Sequence, residues 1–365
     1  MVKKATFIIF IYVLLVFAFW IFIGSPVMNG DINFKFYSDS RTYERLALST
    51  NNLFNLLRVS GNQIGPVFIA KLIGPENYTG IFLLNFAVLM LAIKFFLKND
   101  RLQKDLFLIL ILFNPITFTS IFSINKEIFL FLSLSFLVRF VEDKKYKWII
   151  FAVVLSLIIR WQLTLFFLVV FGIASPINFL RNRKFLFFFL FLGAISFVLS
   201  VTRNTIFGDV FYVYEQAISD KVGGPGLFDK IMDIQDSYGY VVAFVPKAFH
   251  LLVGMTKRVN HLFNPDPVEM YNDVVLFWLG PINLFLLVVF FYRRLFSLKD
   301  PLVFLSLIYI SIFAITPIYN IRYFYPVTIF LSYIISRKRE SNKWFSSFGI
   351  LSLKKKRSNN EVSII

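Results

Sequence analysis

The chain has 365 residues, 58% hydrophobic and 19% aromatic, and only 16% carry charge; that balance excludes a soluble globular domain and describes a chain that enters a membrane repeatedly. A net charge of +17 raises nucleic acid as a partner, but the distribution of the cations between apolar runs assigns them to membrane topology. The absence of cysteine removes disulfides and thiolate chemistry, and two histidines, His250 and His261, are too few and too far apart for a zinc site, so any metal would rest on carboxylates.

In chain order, Ala5 to Ile23 follows Lys3 and Lys4 and is too long, with no small-residue cleavage site after it, for a removable signal peptide; it reads as a first span with its N-terminus inside. An outer loop over about 24–78 follows. Within it Tyr37 to Ala47, YSDSRTYERLA, opens a helix: Tyr43, Leu46, Ala47, Phe54 and Leu57 recur on one side, and Arg41, Glu44, Arg45, Asn52 and Asn55 fall mainly on the other. This pattern predicts an amphipathic helix lying in the headgroup boundary with Asp39 at its entrance. Asp39 there has two possible roles, a cap for free N–H groups or a reactive carboxylate. Asn77–Tyr78–Thr79 matches a glycosylation acceptor pattern that occurs often by chance.

Further spans are predicted at Thr79–Leu97, Asp105–Ile124, Glu127–Val141, Lys147–Ile159, Trp161–Ser175 and Phe185–Thr202. Asn114–Pro115 breaks the second of these, and two pairs are joined by almost nothing, Asn125–Lys126 in one case and Arg160 in the other. Such short spans with tight junctions need protein or water around their backbone. The polar stretch over about 203–273 forms a second outer loop, in which Gly223–Gly224–Pro225–Gly226 is a turn with no phosphate-loop lysine after it. Its apolar piece, Tyr240 to Met255, is interrupted by Pro246, Lys247 and His250 and reads as re-entrant or interfacial. Spans at Val274–Tyr292, Pro301–Thr316 and Tyr323–Ser336 complete the set, and no internal repeat is visible.

The expectation is therefore an all-α polytopic protein of about 10 transmembrane helices, one transmembrane domain over 1–336 and a basic cytoplasmic tail over 337–365. On that topology the inner segments hold 23 basic and 7 acidic residues and the outer segments 14 of each, which is the asymmetry the positive-inside rule requires. The unusual polar residues then gather at outer loops and outer helix ends: Asp39, Lys126 and Glu127, Arg160 with Gln162, Arg203, and Arg322 with Tyr323. A basic residue at a helix end ordinarily meets headgroups or carbonyls. As a set they suggest an outward pocket of one carboxylate and several cations, suited to a donor whose leaving group is a lipid phosphate or pyrophosphate. A carboxylate would take the proton from an attacking sugar hydroxyl, and no nucleotide-binding loop is present to hold a sugar nucleotide.

The run Asp39–Ser40–x–x–Tyr43–x–x–Leu46–Ala47 after a first span resembles the first outer loop of the GT-C glycosyltransferases, polytopic enzymes that use polyprenyl-linked sugars. Asn114–Pro115 followed by Asn125–Lys126–Glu127, and Arg322–Tyr323 with Pro326, look like features of these enzymes and of the bacterial O-antigen polymerases of the Wzy type. The resemblance implies Asp39 as catalytic base, with Tyr43, Lys126, Glu127, Arg160, Arg203, Arg322 and Tyr323 binding substrate. It implies glycosyl transfer in lipopolysaccharide and surface polysaccharide biosynthesis, at the outer face of a bacterial cytoplasmic membrane with both termini cytoplasmic. Donor and acceptor would be undecaprenyl-linked, with no organic cofactor, a divalent metal left open, and other polysaccharide-assembly proteins as partners. Size and the large outer loop favour a repeat-unit polymerase. A GT-C enzyme adding one sugar is the near alternative, and a transporter or lipid-linked oligosaccharide flippase is the distant one.

Overall fold

A computed structural model describes residues 4–32, 36–50, 63–174, 178, 180–202, 226–254, 270–315 and 321–338. Among them the regular structure is helical throughout, with one isolated antiparallel bridge between Leu102 and Arg337. The first helix, α1 (Lys4–Phe19), continues through a π turn, Trp20–Gly24, into a last turn that ends at Gly30. Next come α2 (Ser38–Ser49), α3 (Ile64–Ile73), α4 (Tyr78–Phe96), α5 (Lys104–Leu112) and α6 (Pro115–Thr119). They are followed by α7 (Glu127–Asp143), α8 (Tyr146–Ile159), α9 (Trp161–Ala174) and α10 (Lys184–Thr202). The remainder is α11 (Leu227–Tyr238), α12 (Tyr240–Val253), α13 (Met270–Tyr292), α14 (Pro301–Phe313), a 3-10 turn at Ile321–Phe324 and α15 (Tyr325–Ile335).

Three helical stretches, Lys4–Asn29, Tyr78–Phe96 and Lys184–Val201, are long and apolar enough to cross a bilayer, and the bent pair α5 and α6 makes a fourth. Five of the other six expected spans are helical at the expected places but shorter than 18 residues, and the sixth lies in α13, a helix of 23 residues. Burial accounts for this in three of them. All eleven residues of α15 are buried, as are most of α7 and α14, so a helix of about 16 Å is surrounded by protein and need not match the hydrocarbon by itself. The peripheral helices do the opposite: only 11% of the Lys184–Val201 stretch is buried, with Phe185, Phe189, Phe197 and Val201 facing outward. An outward face so apolar is that of a protein embedded in lipid.

Two expectations are altered. The amphipathic helix exists as α2, but its apolar edge does not rest on the headgroup boundary: Tyr43 and Ala47 pack against Val67 and Ala70 of α3 and against Ile81 and Ile124. Phe54 and Leu57, assigned to the same edge, lie outside the described residues. The expected kink at Asn114–Pro115 is a bend of 66° that separates α5 from a short helix, capped where the Asn114 side-chain oxygen accepts from the N–H groups of Ile116 and Thr117. Asn77 caps α4 by accepting from the Gly80 N–H at 2.9 Å, a structural use of that acceptor-like triplet.

The apolar piece in the second long polar stretch is α12, paired with α11 across the single residue Gly239, whose φ of 88° only glycine adopts without strain. This hairpin packs against α13 and α14 and against the turn at Ile321–Phe324. Lys247 is wholly buried within it, donating to the Gln235 side-chain oxygen at 2.7 Å and to the Ile315 carbonyl at 3.3 Å.

Candidate active site

Four chain segments meet at one end of the bundle, three of them brought there by hydrogen bonds of polar side chains that the surrounding apolar core cannot otherwise satisfy. The short helix α6 acts as a bracket for two of them. Thr119 pairs with the Tyr37 hydroxyl at 2.6 Å, which fixes the entrance to α2, and Thr117 pairs with the Tyr325 hydroxyl at 2.6 Å, which fixes the start of α15. Asp39 stands two residues past the first anchor and Arg322 three residues before the second, so one bracket sets both.

A second set of bonds fixes the turn before α7. The Asn85 amide, buried within α4, donates to the carbonyls of Ser120, Ile121 and Ser123. Asn125 donates to Ser120 and Ser123 and accepts from the Glu127 N–H, and Ser40 of α2 donates to the Ile124 carbonyl. Lys126 and Glu127 are thereby held against the first turn of α2. The fourth segment is Arg160, the one residue between α8 and α9; its backbone is extended and its side chain buried.

At the centre lies Arg322. One of its terminal nitrogens pairs with an Asp39 carboxylate oxygen and its Nε lies 3.2 Å from Glu127, so a single guanidinium bridges two carboxylates. The two acids differ in access: the Glu127 side chain is 4% exposed and the Asp39 side chain 41%. Glu127 therefore holds Arg322, while Asp39 keeps a face open to a ligand. Three cation–aromatic contacts complete the shell, Arg322 over Tyr37, Lys126 over Tyr43 and Arg160 over Tyr323, with separations of 5.0 to 5.3 Å.

Charge and burial act against each other here. Burial opposes the charge on Arg322, and Glu127 and Asp39 more than offset it, leaving the guanidinium more firmly protonated than usual. For Lys126 the balance is reversed. Burial first, and then the charge of Arg160, lower it to about 8 despite Glu127 and Asp39 nearby. Burial raises the Tyr37 phenol to about 12 and the Tyr43 phenol further still, so both are neutral hydrogen-bonding groups at physiological pH.

Of the residues selected from the sequence, Asp39, Tyr43, Lys126, Glu127, Arg160, Arg322 and Tyr323 share this one site. Arg203 lies outside the described residues, and Gln162 is described in its backbone alone. The anchors Tyr37, Thr117, Thr119, Tyr325 and Asn85 were not selected. Asn85 had a usable signal, a lone amide inside an apolar span. The hydroxyl groups had none, because Thr and Tyr are common in such helices. Among the described residues no three His, Cys, Asp or Glu side chains gather to hold a metal. No family model matches the chain, and comparison with curated proteins and with solved structures finds no match.

Proposed function

We propose that the protein transfers glycosyl groups from a polyprenyl-linked donor, with Asp39 as general base and the surrounding cations holding the phosphate of the leaving group. The observation that carries this reading is the Asp39–Arg322–Glu127 arrangement, a partly open carboxylate oriented by a cation that a second, buried carboxylate fixes. An acceptor sugar hydroxyl would give its proton to Asp39 as its oxygen bonds to the anomeric carbon. The bond from that carbon to the lipid pyrophosphate breaks, and the leaving oxygen keeps the electron pair. Lys126 and Arg160, beside the carboxylate, supply positive charge where that negative charge develops. The membrane holds both lipid tails in one plane, which removes much of the entropic cost of bringing donor to acceptor.

Placement supports the same reading. Helix α7 begins in the site at Glu127 and ends at Asp143, a length of about 25 Å, close to a bilayer's hydrocarbon thickness. The far end carries Lys144, Lys145 and Lys147, and Arg337 and Lys338 follow α15, which also leads away from the site. By the positive-inside rule these cations favour a cytoplasmic far end and a site at the outer face, in keeping with the proposed topology of about ten spans with both termini inside. Within this class we favour an O-antigen repeat-unit polymerase, moving a growing chain from its lipid pyrophosphate onto a new lipid-linked unit.

A deletion strain tests the assignment. Loss of a polymerase leaves surface glycans of one repeat unit, whereas loss of a single-sugar transferase leaves chains of normal length lacking a branch. Loss of a flippase leaves no glycan outside. The first pattern is expected, and either of the others removes the polymerase reading.

A further inference from the structure

At the opposite end of the bundle is a cavity of about 450 Å³ that the transfer reaction does not use. Three separate parts of the chain line it: Arg101 from the turn after α4, Arg293 and Arg294 from the end of α13, and Arg337 and Lys338 after α15. Among the described residues Asp300 is the one carboxylate in its lining, and Arg337 pairs with it. We propose that this cavity binds a phosphate-bearing anion, either the headgroup of an anionic phospholipid or free phosphate or pyrophosphate.

The positive-inside rule explains why cations lie at this end, but not why five from distant positions converge on one void. Like charges so gathered repel one another, and a bound anion relieves that repulsion. Helix ends account for part of the arrangement: Arg293 donates to the Ile335 carbonyl at 3.2 Å, as cations do at C-termini. Each arginine carries five N–H donors in a planar fork, so this single bond leaves capacity for phosphate oxygens. The walls are built by backbone pairing. The Gln103 N–H donates to the Ser336 carbonyl and the Lys338 N–H to the Arg101 carbonyl, so the segment after α15 is stitched beside the start of α5. Arg294 sits at a φ of 51°, a left-handed conformation that side chains other than glycine and asparagine seldom adopt.

That conformation also supplies a test variant. Arg294→Gly suits the local backbone, and Lys338→Gln changes an exposed side chain, so together they remove two cations without disturbing packing. The full chain, purified in a neutral detergent, is titrated with phosphatidylglycerol, with phosphatidylcholine and with inorganic pyrophosphate, and binding is read by native mass spectrometry and by the unfolding temperature. Phosphatidylglycerol is expected to bind and raise the unfolding temperature while phosphatidylcholine does not, and the double variant should weaken its apparent affinity about tenfold. Binding of pyrophosphate in place of the lipid, lost in the same variant, supports the anion site and identifies its ligand as soluble. Binding by neither anion, or equal binding by wild type and variant, overturns the proposal. If the double variant fails to fold, Arg101→Gln is titrated in its place, with the same outcomes deciding. An inactive enzyme that still binds the anion would count against the transfer reading alone.

Discussion

Arg322 and Asp39 stand 283 positions apart in the chain and 2.5 Å apart in the fold. The guanidinium comes from the turn before the last helix and the carboxylate from the first turn of α2, so the site closes only when both ends of the described chain are in place. Glu127 makes the contact durable. Because it is buried against Arg322, it holds the guanidinium in place beside the partly exposed Asp39.

That role for Glu127 predicts a stability cost where Asp39 has little. Glu127→Gln removes the charge opposite a buried guanidinium and is expected to destabilise the protein by about 2 kcal/mol. Asp39→Asn, at a position 41% exposed, should leave the unfolding temperature nearly unchanged. Thermal unfolding of both variants in detergent checks the contrast, and equal losses would mean that the two carboxylates share one structural duty.

Lys126 gives a pH prediction of opposite sign for activity and stability. Its proton dissociates at about 8 in the fold against 10.5 ordinarily. If its charge holds the leaving phosphate, transfer should fall as pH rises through about 8, and Lys126→Arg should keep activity to higher pH because arginine stays charged. Over the window from about 8 to 10.5 the unfolded chain binds this proton and the folded chain does not, so this residue's contribution to stability rises with pH. A transfer rate flat across this window in the wild type would remove Lys126 from phosphate binding.

Asn85 is predicted to matter although it touches no candidate reacting group. Asn85→Leu removes the buried donor to the carbonyls of Ser120, Ile121 and Ser123, of which Ser120 keeps a second donor in Asn125, and should cost about 2 kcal/mol. The displaced turn carries Lys126 and Glu127, so activity should fall further than the unfolding temperature alone implies. Comparison of specific activity well below the unfolding transition separates the two effects.

How much was legible in the sequence follows from the kind of signal each element carries. Apolar runs placed the helices within a few residues, from Tyr78–Phe96 to Pro301–Phe313. Charge asymmetry singled out Asp39, Lys126, Glu127, Arg160 and Arg322 because ionisable groups at helix ends in lipid are costly to place without cause. Periodicity could not say what α2 would pack on: an amphipathic edge fits a headgroup boundary and the face of α3 equally, and the contact of Tyr43 and Ala47 with Val67 and Ala70 is a tertiary fact. Nor could it reveal that Asn114–Pro115 begins a bracket. The pairings of Thr119 with Tyr37 and of Thr117 with Tyr325 join residues 82 and 208 positions apart, and no local pattern records them.

The most direct test is the length of glycan chains made by cells that carry Asp39→Asn as their one copy, with the variant shown to reach the membrane at wild-type level. Asparagine keeps the size of aspartate and an oxygen that can accept from Arg322 but cannot accept the hydroxyl proton. Polymer is expected to be lost while single-repeat glycan remains. Full-length chains made by this variant would contradict it.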